Sequence, residues 1–120
     1  MPRNSKCRRV CAEPVHHIFV PERSSGQVTL TVEELEAMRL CDLEGLDQDE
    51  AAKRMDVSRG TLQRILYSAR KCTVQALVEG KEIIISGGNY RVAGEPCQCR
   101  KNCNHCRFHL NKIKELESDE

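Results

Sequence analysis

Large aromatic side chains are scarce in this chain: two Phe, two Tyr and no Trp among 120 residues. A core built without them is modest, and small cores usually need a partner chain or a metal to become stable. No apolar run approaches the roughly 20 residues that span a bilayer, so a membrane-spanning helix is excluded. The opening MPRNSKCRRVCAEP is basic but has no apolar stretch, which argues against a secretory signal and implies a cytoplasmic protein. A Gly-rich phosphate loop, a Ser/His/Asp set and a pair of pocketed carboxylates are also missing, so no enzyme is expected. The length suits one small domain with tails.

The net charge is only +1, but it is unevenly spread. Residues 1–27 carry +3, residues 31–56 carry −6, residues 57–71 carry +4 with no acid, and residues 97–114 carry +5 with no acid. The total therefore says little, while the distribution supplies basic surfaces for phosphates. The acidic stretch reads as solvated helix.

Residues 48–66, QDEAAKRMDVSRGTLQRIL, have the pattern of a helix-turn-helix. Ala51, Met55, Val57, Leu62 and Ile65 fall where two short helices can share an apolar seam, with Ala52 small enough for a close crossing. Asp56 stands at the turn, where Gly is commoner but Asp tolerates the left-handed conformation. Ser58 then caps a helix with Arg59, Thr61, Gln63, Arg64 and Tyr67 on its free face, a helix sized and charged for the DNA major groove.

The flanking segments follow from local signals. Residues 1–27, with Pro2, Pro14, Pro21 and a Ser24-Ser25-Gly26 break, read as a basic arm with little regular structure. Val28–Leu30 reads as a short strand. Thr31 with Glu34 forms a capping box for a helix that runs to about Glu44, with Leu35, Met38 and Leu40 or Cys41 inward, and Gly45 ends it. Asp47 with Glu50 opens the next helix. The Ser58-capped helix runs on toward Glu79, and Gly80 stops it. Glu82–Val92 reads as a β-hairpin about Gly87-Gly88. The domain thus covers residues 28–92, a cysteine-rich segment covers 93–114, and a disordered acidic end covers 115–120.

The stretch LTVEELEAMRLCDLEGLDQDEAAKRMDVSRGTLQRIL resembles the region-four DNA-binding domain of bacterial sigma factors, which reads the promoter −35 element. With the leading PRNSKCRRVCAEP and the following ALVEGKEIIISGGNY, the chain is similar over residues 1–92 to a little-characterised prokaryotic family of predicted DNA-binding proteins. The resemblance implies a mainly α fold, a sigma-like helix-turn-helix, and a role on double-stranded DNA. Carried over by position, Ser58, Arg59, Thr61, Gln63 and Arg64 are the groove-facing residues. A complete sigma factor is not implied, because nothing here matches a promoter-melting domain.

Chemistry distributes roles among these side chains. Arg pairs with guanine O6 and N7, and Gln pairs with adenine N6 and N7, which makes Gln63 and Arg64 the base-reading candidates. Arg59 and the Ser58 and Thr61 hydroxyls lie at a helix N-terminus that favours a phosphate. Gly60 lets the backbone come close to the duplex. Tyr67, Arg70 and Lys71 either reach the DNA backbone or lie in water, and the arm with Arg8 and Arg9 either follows phosphates or enters the minor groove, or is an unstructured solubilising tail. One reading head covers few base pairs, so a homodimer is expected.

Four thiols, Cys97, Cys99, Cys103 and Cys106, fall within ten residues, with His105 and His109 beside them. Such a cluster suits zinc or an iron–sulfur cluster, with reversible thiol oxidation as the remaining reading, and Arg100, Lys101 and Arg107 favour the thiolates. Cys7 and Cys11 are either alternates for a second site or for completing the first, or two free thiols in a mobile arm, and His16-His17 reads as a surface pair. Cys41 and Cys72 read as small core residues. A spacing found in radical S-adenosylmethionine enzymes, Cys99-x3-Cys103-x2-Cys106, is set aside because only 14 residues follow it. The expected protein is a DNA-binding regulator with metal or redox input. The alternative is an interaction module that docks on RNA polymerase or another partner, with a structural zinc clip.

Overall fold

The computed structural model describes residues 7–93. In chain order these form β1 (Arg8–Val10), β2 (Ile18–Phe19), β3 (Gln27–Leu30), α1 (Val32–Met38), a π-helical turn (Arg39–Leu43), α2 (Gln48–Met55), α3 (Arg59–Glu79), β4 (Glu82–Ile85) and β5 (Tyr90–Val92). Helix accounts for roughly half of the described residues, and the short strands form a two-stranded ribbon and a three-stranded sheet.

Each α-helix starts where its capping residue dictates. Thr31 Oγ1 accepts from Glu34 N at 3.2 Å, and the Glu34 carboxylate accepts from Thr31 N at 2.9 Å, which completes the capping box. Asp47 Oδ1 accepts from Glu50 N at 2.8 Å, and Ser58 Oγ accepts from Thr61 N at 3.1 Å. Each bond satisfies one of the N–H groups that a helix start leaves without an internal partner. α3 ends at Gly80, left-handed at φ +71, as a Gly stop requires. The first helix does reach Glu44, but its last part is a wider π turn that brings Arg39 and Leu40 inward together.

Two joined clusters make the core. In one, Ala37 and Leu40 meet Ala51, Ala52 and Met55 of α2 and Leu62, Ile65 and Leu66 of α3. In the other, Val10, Leu30, Val32 and Ile85 pack on Ala69 of α3, with Cys72 and Ile83 at its margin. Cys41 lies at the margin of the first cluster. Burial, then Asp42, pushes the Cys41 thiol up, and burial, then Glu34, does the same for Cys72. Both remain thiols at neutral pH.

Two expectations are corrected here. Residues 82–92 are not a hairpin. β4 is the middle strand of a three-stranded sheet, antiparallel to β2 and parallel to β3, with Leu30 opposite Ile85. Both edges of β4 are therefore taken, and β5 pairs parallel with β1 instead. The two glycines lead the chain past the start of α1. Gly87 O accepts from Val32 N at 3.1 Å, and the Glu33 carboxylate accepts from Asn89 N at 3.1 Å. At Gly88, φ is +113, and a Cβ would lie 3.0 Å from Thr31 Cβ and against that carboxylate.

The N-terminal stretch is not an arm without regular structure either. Residues 8–30 contribute three strands, and Val10 and Cys11 are almost wholly buried. Parallel pairing with β5 and burial of Val10 against Leu30 and Ile85 supply what local signals lacked.

The turn after α1 holds a buried ion cluster. Arg39 Nε and Nη2 bond the two Glu36 carboxylate oxygens at 2.9 Å each, Nη1 bonds Glu44, and Nη2 also reaches Cys11 Sγ at 3.3 Å. Cys11 N donates to Glu36 at 3.2 Å. Burial alone would raise the Glu36 pKa, but the Arg39 hydrogen bonds and charge, with the Cys11 N–H, bring it below the ordinary carboxylate value.

Candidate nucleic-acid interface

α2 and α3 cross through small residues. Ala51, Ala52 and Met55 on α2 and Leu62, Ile65 and Leu66 on α3 are buried at the crossing, with Val57 against them. Asp56 makes the turn in the left-handed conformation, φ 63 and ψ 42, and it is the one non-Gly residue at positive φ among those described. Val57 N closes the turn on Ala52 O at 3.0 Å. Asp tolerates this conformation at a cost of about 1–2 kcal/mol relative to an ordinary backbone. Arg91 of β5 holds the Asp56 carboxylate at 2.9 Å, and Arg9 of β1 donates to Arg54 O at 3.3 Å. The β1–β5 ribbon thus secures the turn from outside.

The opposite side of α3 is open. Ser58, Arg59, Gly60, Arg64, Tyr67, Arg70 and Lys71 are exposed, and Thr61 and Gln63 are half-buried. No acidic residue occurs from Val57 to Val78. Several of these side chains are already held. Arg59 reaches Asp49 at 3.4 Å, Arg64 Nη2 donates to Thr61 Oγ1 at 3.2 Å, and Arg70 makes a bidentate pair with Asp42 at 2.7 and 3.1 Å. Gln63 Nε2 donates to Gln48 Oε1 at 2.8 Å. That last bond joins residues 15 apart across two helices, and no sequence spacing announced it. Gly60 has only the Arg64 guanidinium near the place of a Cβ, at 3.9 Å, so the chain's own packing does not demand a glycine there.

Arg8 and Arg9, expected on a free arm, are half-buried in β1, and Arg9 is engaged at the end of α2. The proposed alternate metal ligands are not brought together. Cys7 is exposed and Cys11 is buried, at opposite ends of an extended segment, about 13 Å apart by strand rise. His16 and His17 are exposed, and His16 stacks edge-on with Phe19 at 6.5 Å. Among the described residues no group of three His, Cys, Asp or Glu side chains converges as a metal site would. Cys97, Cys99, Cys103, Cys106, His105 and His109 lie outside the described residues. A cavity of about 340 Å³ lies over α1, lined by Ala12, Pro14, Leu35, Met38 and Leu43 with the edge of the Glu36–Arg39 cluster. No α2 or α3 side chain lines it. No helix among the described residues is long and apolar enough to cross a membrane.

These features define a small helix-and-strand protein with one basic helix face left open. The chain belongs to the family described as protein of unknown function DUF134, whose model matches residues 1–93. It is 51% identical over 109 residues to a UPF0251 protein of Ruminiclostridium cellulolyticum, covering 89% of this chain and 85% of that one. A UPF0251 protein of Caldicellulosiruptor bescii is 51% identical over 121 residues, covering 100% of this chain and 81% of its own. One from Moorella thermoacetica is 50% identical over 109 residues, covering 88% and 72%. The second of these likenesses runs through the cysteine-rich end, beyond the span of the family model. No solved structure matches the chain.

Proposed function

We propose that this protein binds double-stranded DNA in a sequence-specific way and acts as a transcriptional regulator. In this reading α2, the Asp56 turn and α3 are a helix-turn-helix similar to that of sigma region four. The observation that carries it is the split character of α3. Its inner face is buried against α2, while its outer face offers Arg59, Gly60, Arg64, Tyr67 and Lys71 to solvent with no acid nearby on the helix. The open space at Gly60 supports it too, since only the far end of the Arg64 side chain comes near the place of its Cβ and a duplex can approach the backbone closely there.

Gln63 and Arg64 read base edges, and the Ser58, Arg59 and Thr61 end of α3 meets phosphate. Arg70 first has to leave Asp42, so it contributes to backbone contact less than Lys71 does. Dimerisation belongs to the same reading, because one helix reads too few base pairs for selective binding. The thiols at 97, 99, 103 and 106 provide a zinc or iron–sulfur site that sets the regulatory state. A second reading, a module docking on RNA polymerase, draws on Val74, Leu77 and Val78, which are exposed in the last turns of α3.

The test is selection of the full chain on randomised duplexes, followed by titration of the selected sequence. Arg64→Ala and Gln63→Ala should each lose about 1–3 kcal/mol of binding and relax preference at one position. If both variants keep the affinity and preference of the native chain, α3 does not read DNA, and the docking reading takes its place.

A further inference from the structure

Gln63 is held from the neighbouring helix: its Nε2 donates to Gln48 Oε1 at 2.8 Å, and both residues are half-buried. A Gln amide has one oxygen with two lone pairs and two N–H groups. Reading adenine takes one acceptor, for the N6 amino group, and one donor, for N7, side by side. With one N–H committed to Gln48, Gln63 keeps one N–H and its oxygen, which are the two groups that the adenine edge requires. The hydrogen bond also fixes which way round the amide sits. A free Gln would lose rotamer freedom when it binds, whereas a side chain already held loses less.

Gln48 is well suited to this task. It occupies the first position of α2, directly after the Asp47 cap, so its backbone is set by the helix start. It is neutral, unlike the adjacent Asp49, which holds Arg59 at 3.4 Å and opposes phosphate. Arg64 is braced by a hydroxyl of its own helix, Thr61. Gln63 depends on α2.

We infer that Gln48 is a positioning residue for base recognition: through Gln63, it orients the amide that selects adenine. The inference rests on the DNA-reading function proposed above and adds to it a residue from the helix that does not itself enter the groove. A tie that merely joined α2 to α3 would behave differently. Its loss would lower stability and weaken binding to every duplex alike, leaving base preference as it was.

The experiment uses the full chain, a selected duplex, and duplexes changed one base pair at a time. The position that Gln63→Ala relaxes marks the base in question. There the native protein should prefer adenine by about tenfold or more. Gln48→Met, of similar length but without the amide oxygen, should cut that ratio by roughly five-fold and leave the ratios at other positions unchanged. Gln48→Glu keeps an acceptor and should restore the ratio, even as its charge lowers affinity for all duplexes. In a Gln63→Ala background, Gln48→Met should change nothing further. A native ratio in Gln48→Met, or an equal loss at every position, overturns the inference while leaving DNA reading intact. A native chain that selects no sequence overturns the DNA reading itself, and this inference with it.

Discussion

Replacing Arg39 by Met should cost the fold about 3–5 kcal/mol at neutral pH, the loss typical of stranding a buried charge. The Arg39 side chain is 8% exposed, and those of its partners Glu36 and Glu44 are 7% and 3% exposed. Solvent therefore cannot replace the guanidinium. Against a total stability of about 5–15 kcal/mol, that is a large share. With a urea slope of about 1–3 kcal/mol per molar, the unfolding midpoint should fall by about 2 M.

The pH dependence gives a second readout. The folded Glu36 pKa lies below its unfolded value of about 4.3, so its stabilisation is present above that value and is lost as pH falls through the folded pKa. Without Arg39, burial dominates and raises the Glu36 pKa instead. The variant should then gain stability relative to the native protein as the pH is lowered. Adding Glu36→Leu and Glu44→Met should recover more than half of the loss by removing the stranded carboxylates. Urea unfolding at several pH values decides the matter. A loss below about 1 kcal/mol would show that the cluster behaves as an exposed pair, and would refute the burial argument.

Two further outcomes follow from the local geometry and the composition. Gly88→Ala should destabilise by about 2 kcal/mol, because a methyl there meets Thr31 and Glu33 at positive φ. Gly87→Ala meets nothing within 4 Å and should lose only about 1 kcal/mol, the cost of the left-handed backbone; equal losses in thermal melts would remove the crowding argument. Protein purified without oxygen should carry either zinc or an iron–sulfur chromophore absorbing near about 400 nm. Replacing Cys97, Cys99, Cys103 and Cys106 with Ser should abolish it, and undiminished metal in that variant would refute those ligands.

What local chemistry decides was legible in the sequence. Thr31, Asp47 and Ser58 mark helix starts through bonds to residues three positions on, and Gly80 marks a stop through its own backbone freedom. Asp56 and the Ala51–Ile65 seam are legible for the same reason. What depends on distant partners was not. The strand at Arg8–Val10 exists because Tyr90–Val92 lies beside it, and Glu82–Ile85 forgoes a hairpin because Gln27–Leu30 and Ile18–Phe19 occupy its edges. Glu36 and Arg39 looked like members of a solvated acidic helix. They are buried where Cys11, distant in sequence, bonds to both, and nothing in their own neighbourhood encodes that partner. On the open face of α3, residue types singled out Gln63 and Arg64, while the bond from Gln63 to Gln48 needed the helix crossing to be seen.

The short ribbon of β1 and β5 ties the end of the described chain to the turn between α2 and α3. Ala93 N donates to Val10 O at 2.8 Å, so the chain leaves the described fold from this ribbon, and Cys97 follows four positions later. Arg9 and Arg91, one on each strand, grip the two sides of the turn at Arg54 and Asp56. Two three-residue strands thereby couple the last described residue, Ala93, to the turn that sets α2 against α3.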